Sequence, residues 1–128
     1  PGFAYTPRRD ASTAMRTAGV VCMMALGANE TERDKEMIEK SSKILFNTNP
    51  GKGKHFYYRA YYLATSANML GGKYRDSMLP KLNKALLKLQ KKNGEFKKHR
   101  GYDGGVYSTS FAVICLSVRY QFLPIYQE

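Results

Sequence analysis

The chain has 128 residues, 43% of them apolar, with 21 Lys and Arg against 10 Asp and Glu, giving a formal net charge of +11. This is the size and composition of one folded domain with a single core, and it argues against a disordered chain. The longest apolar run, Ala18 to Ala28, is too short to span a membrane and lacks the position and cleavage site of a signal peptide, while two cysteines make neither a disulfide framework nor, alone, a structural zinc site. No compartment is fixed by this.

Five helical segments are readable, and nothing alternates like a strand. The opening Pro1-Gly2-Phe3-Ala4-Tyr5-Thr6-Pro7 is irregular between its prolines. The first helix is expected over Ser12–Leu26, with Asp10 or Ser12 as N-cap and Gly27 as stop. Ala18 to Met24 make it apolar on most sides, hence buried on most sides. The second, Thr31–Phe46, opens with Thr31 and Asp34 as a capping box in which Asp replaces the usual Glu. Met37, Ile38, Ser41 and Leu45 form its inward stripe, and Glu36/Lys40 and Glu39/Lys43 are i,i+4 pairs on its wet side.

The third helix, Phe56–Leu70, looks buried and carries Phe56, Tyr57, Tyr58, Tyr61 and Tyr62 before Gly71-Gly72 stops it. The fourth is read over Ser77–Lys92, because Pro80 suits a first turn capped by Ser77 and not a helix interior. Met78, Leu82, Leu86 and Leu89 face inward. A basic loop follows, then a fifth helix over Val106–Tyr120, apolar through Phe111, Ala112, Val113, Ile114 and Leu116. Buried and amphipathic helices thus alternate, with the buried ones starting every 43–50 residues. That spacing is the pattern of a helical-hairpin repeat, one helix facing in and its partner out. Two and a half hairpins are present, an open stack or a set with repeats missing. Apolar faces left at its ends predict self-association.

The charge is unevenly placed. Residues 1–72 carry a net +4 and residues 73–128 a net +7. Most of the latter comes from Lys81, Lys84, Lys88, Lys91, Lys92, Lys97, Lys98 and Arg100, which face a single acid, Glu95. Three readings of this stripe stand: a solvated outer face, a surface for an acidic protein or an anionic lipid surface, or a nucleic-acid site. The last is the weakest, since only Phe96 and Tyr102 interleave the stripe and no nucleic-acid motif is matched.

Ala85-Leu86-Leu87-Lys88-Leu89-Gln90-Lys91-Lys92-Asn93-Gly94-Glu95-Phe96 resembles the Q-W repeat of the squalene–hopene cyclase and protein prenyltransferase superfamily. There an outward helix ends in Gln and Gly-x-Trp follows; here Gln90, Gly94 and Phe96 occupy those positions, with Phe96 in place of Trp. Gly104 to Ser110 leading into an apolar helix, then Tyr120 to Tyr126, resembles the closing repeat of the planctomycete-type bacterial branch of prenyltransferase/squalene-oxidase repeat proteins. Gly2 to Thr6, Ala14 to Gly27 and Tyr57 to Tyr62 resemble other segments of that branch, in the same order. The resemblance implies an all-α domain over residues 1–128, stacked αα-hairpins forming a partial or C-terminal part of an α/α toroid. It also implies a segment of a longer protein, in keeping with a chain that begins at Pro1.

Catalytic residues do not come with it. A cyclase of this superfamily needs a dense Asp motif, whereas Asp10, Asp34, Asp76 and Asp103 are isolated; a prenyltransferase needs Asp, Cys and His on zinc, and no Asp-x-Cys pair occurs. No catalytic residue, metal site or cofactor is therefore assigned. Tyr58, Tyr62 and Tyr107 stand near the head ends of inward helices, lining a ligand groove or filling the core. Arg59, on the same buried-looking helix, needs an acid, carbonyls, a cavity or a ligand anion. Cys22 and Cys115 read as small packing residues or as a disulfide between inward helices. The resulting expectation is a non-catalytic binding module of a squalene-cyclase-like repeat protein. Its alternative is the end of an isoprenoid- or lipid-acting enzyme whose catalytic residues lie upstream.

Overall fold

The computed structural model describes residues 3–4, 6, 12–28, 30–47, 49–51, 55–99 and 105–120, and the regular structure among them is helical apart from one isolated bridge. The elements are α1 (Thr13–Ala25), α2 (Glu32–Phe46), α3 (Phe56–Leu70), α4 (Gly72–Leu87) and α5 (Gly105–Ser117), the last continued by a 3-10 turn, Val118–Tyr120. Asp10, Arg100, Tyr102, Asp103 and the segment after Tyr120 lie outside the described residues.

The local signals act as their chemistry requires. Ser12 accepts the Met15 N–H and caps α1. Gly27, at φ +67°, closes it: Ala28 N–H reaches Met23 O and Gly27 N–H reaches Met24 O, satisfying carbonyls that a helix end would leave bare. Thr31 accepts the Asp34 N–H, while the Asp34 carboxylate accepts from the Thr31 hydroxyl. A Glu would reach back to the backbone; Asp is one methylene shorter.

The start of α4 corrects the expectation from Pro80. The helix begins at Gly72 and runs through Pro80, because only Gly71 (φ +65°) separates it from α3. The missing Pro80 N–H leaves the Asp76 carbonyl without its helical donor. Asp76 and Pro80 are both exposed, so water can serve that carbonyl. Tyr74, in the added turns, stacks on Phe46 with ring centroids 4.7 Å apart, which ties the new length to α2.

Packing separates the helices into two rows. α3 packs on α1 at one side and on α5 at the other; α2 packs on α1, and α4 on α3. The inner row is therefore α1, α3, α5 and the outer row α2, α4, as the alternation of buried and amphipathic segments predicts. The core is continuous between them: Val20 and Met23 from α1, Ile38 and Leu45 from α2, Phe56, Tyr57, Ala60 and Leu63 from α3, Met78, Leu82 and Leu86 from α4, Ala112 and Cys115 from α5. Burial this extensive supplies most of the driving force, since helices of 13–16 residues are marginal alone.

Two burial expectations fail at the ends of the inner row. Cys22 and Ala25 of α1 are exposed, and on α5 Val106 is 85% and Val113 54% exposed. Each end helix has one inner neighbour where α3 has two, so an all-round apolar sequence leaves one side uncovered. Part of α1 is covered by the N-terminal segment. The Phe3 ring lies where a Cβ on Gly19 would stand, and Gly19 is buried beneath it.

Candidate functional site

The Gln90–Phe96 corner shapes one edge of the molecule. After α4 the chain makes a tight reversal: Gly94 takes φ +87°, Lys91 N–H bonds Glu95 O at 2.7 Å, and Gln90 bridges antiparallel to Phe96. The Gln90 amide donates to Gly94 O, closing its own loop in place of the helix end. Phe96 is 2% exposed, and its N–H is accepted by Thr109 of α5. The Phe96 backbone thus ties the segment after the outer helix to the inner helix that follows, while its side chain is buried in the core. Tyr57 secures the same segment, donating to Lys97 O at 2.6 Å.

This corner borders a groove of about 700 Å³ between the last turn of α2 and the second half of α4. Its floor is apolar, from Phe46, Pro50, Phe56, Ala85 and Leu89. Its rim is basic, from Lys81, Lys84 and Lys88, with Asn47, Asn49 and His99 alongside. Lys81, Lys84 and Lys88 recur at helical spacing, so one face of α4 and its C-cap carries all three. Ser77 accepts from Lys81, and among the described residues no carboxylate pairs with Lys84 or Lys88. His99 stacks on Phe56 at 4.7 Å, and its buried Nδ1 has no hydrogen-bond partner among the described residues.

The basic stripe therefore divides. Lys91 is held by Glu95 at 2.6 Å, an ion pair that also draws the Glu95 carboxyl below its usual range. Lys92, Lys97 and Lys98 are exposed and stand outside the groove, and Arg100 lies outside the described residues. The expected α2 pairs, Glu36–Lys40 and Glu39–Lys43, are both present on the solvent side.

The aromatic candidates come together elsewhere. A second hollow, about 340 Å³, is lined by Ser12, Ala14 and Met15 at the start of α1, His55 and Tyr58 at the start of α3, and Tyr107 of α5. All three inner helices begin at this hollow. Tyr62 stacks edge-on to Tyr58 at 4.9 Å, and Tyr107 packs on Phe111 at 4.7 Å. Arg59 does not join them. It is 7% exposed and donates through Nη2 to Pro50 O at 2.8 Å, fixing the lip of the basic groove. Burial pushes its guanidinium below its usual value.

No protein-family model, curated protein or solved structure matches the chain. The geometry alone speaks for the site. Among the described residues, no three His, Cys, Asp or Glu side chains gather as a metal-ligand set, and no helix is long and apolar enough to cross a membrane. The lysine stripe was legible in the sequence; its apolar floor, drawn from Phe46 and Pro50 some 35 residues upstream, was not. His99 was missed as well, since only its stacking on Phe56 brings it to the groove wall.

Proposed function

We propose that the chain is a non-catalytic binding module of a squalene-cyclase-like repeat protein, docking an acidic protein partner through the groove between α2 and α4. The observation that carries this reading is the pairing of Lys81, Lys84 and Lys88 with an apolar floor in one concave surface. Three cations along one helix face raise the local concentration of an anionic partner and orient it. Concavity favours a protruding segment over a flat bilayer. The two-row helix arrangement and the Gln90–Gly94–Phe96 corner support the placement among α/α-toroid repeats.

The test is binding of a fluorescent oligoglutamate by anisotropy at low salt. A Lys84→Glu/Lys88→Glu variant is expected to bind at least tenfold more weakly, while Lys92→Glu/Lys98→Glu, outside the groove, loses much less. Raising the salt should weaken binding to the unaltered protein, because exposed charges are screened within roughly 10 Å at 0.1 M. Equal losses from the two variants, or no binding at all, would overturn the assignment.

A further inference from the structure

The groove is amphipathic in cross-section, and its basic rim has a definite period. Lys81 and Lys84 lie on α4 and Lys88 is its C-cap, still in helical backbone conformation, so the three are spaced three and four residues apart. At about 1.5 Å of rise per residue their Cα atoms stand near 0, 4.5 and 10.5 Å along the helix axis. A partner helix lying along α4 repeats one face at the same intervals, so acids spaced three and four residues apart meet all three lysines. An extended strand repeats one face every 6.6–6.8 Å or so and falls out of step by the third lysine. Beside the lysines, Phe46, Pro50, Ala85 and Leu89 offer an apolar floor that a purely acidic chain would leave wet.

Resting on the binding reading above, we infer that the occupant is an amphipathic acidic helix. Its carboxylates, one turn apart, face Lys81, Lys84 and Lys88, and its neighbouring apolar face fills the floor between Phe46 and Leu89. This is helix-in-groove recognition, with the charges setting register and the apolar anchors supplying affinity. The lip that receives it is held by the Arg59–Pro50 hydrogen bond, so the groove is preformed on the α2 side.

The experiment compares four probes on the intact chain. They are a labelled 18-residue peptide with glutamates at helical spacing beside a leucine face, its scrambled sequence, an oligoglutamate of equal charge, and phosphatidylcholine vesicles containing phosphatidylserine. The amphipathic peptide is expected to bind at least tenfold tighter than the scrambled peptide or oligoglutamate, and to gain helicity by circular dichroism on binding. Leu89→Gln and, separately, Ala85→Gln should erase that advantage, bringing the amphipathic peptide down to the affinity of oligoglutamate for the same variant; thermal melts identify which variant retains the fold. Scrambled and amphipathic peptides binding equally would overturn the helix inference and leave the basic-groove reading standing. Binding by none of the probes would remove both, and tightest binding to vesicles would replace the protein partner with a membrane.

Discussion

A guanidinium on a helix between tyrosines has to be solvated by something, and Arg59 finds the carbonyl of Pro50. The need for a partner was readable from the residue's neighbours. The partner was not, because Pro50 is nine residues away in a loop whose path depends on where α2 ends. The two cysteines make the same distinction. Both sit in apolar helical sequence, yet Cys22 is exposed and Cys115 buried, and both are free. Burial pushes the Cys115 thiol well above its ordinary value, so its thiolate is scarce at neutral pH. A chromogenic disulfide reagent at pH 8 should therefore titrate one thiol rapidly in the native protein and a second only with denaturant. A Cys22→Ser variant should lose the rapid phase, and rapid reaction of both native thiols would contradict the burial of Cys115.

At the scale of the element, the caps and stripes were legible because each is local: Ser12, Thr31 and Gly27 act on residues within one turn of themselves. Pro80 was misleading because its local preference lost to packing. Tyr74 on Phe46 and the single-residue link at Gly71 hold the preceding turns helical despite the hydrogen bond that proline removes. Gly19 is the opposite case, a residue with no visible role in the sequence whose missing Cβ makes room for the Phe3 ring. In an otherwise open helix, Gly→Ala would stabilise by about 0.8–1 kcal/mol. Here the added methyl must displace Phe3, and overpacking of this kind costs roughly 1–3 kcal/mol. Gly19→Ala is expected to lower the urea midpoint, whereas in a Phe3→Ala background the same change should raise it. A cycle with no sign reversal would mean that Phe3 does not seat on α1.

Over the whole molecule, the pattern of buried and amphipathic helices specified the two rows, because each helix shows its burial in its own composition. It did not specify the groove. That depends on how far apart α2 and α4 sit on the inner row, and on the return of the chain through Phe96 to His99. The same arrangement sets an order of stability. α3 is the one inner helix flanked on both sides, packing on α1 and α5 and carrying α4, with Phe56, Tyr57, Ala60, Leu63, Ala64 and Ala67 all buried. α2 packs chiefly on α1, buries only Ile38, Ser41, Ser42 and Leu45, and has its ion pairs in solvent. Exposed pairs add little, so α2 depends on that short stripe and on Phe46 against Tyr74. Amide hydrogen exchange should therefore show α3 opening only with global unfolding and α2 opening at distinctly lower free energy. Leu63→Ala, a buried truncation costing about 2–5 kcal/mol, should lower protection in α3, α1 and α4 together. Tyr74→Ala should lower protection in α2 and leave α5 nearly unchanged, since Tyr74 braces the outer row alone. If α2 exchanged as slowly as α3, the outer helix would be an equal partner in the core, and the groove wall it forms would be as rigid as the inner row.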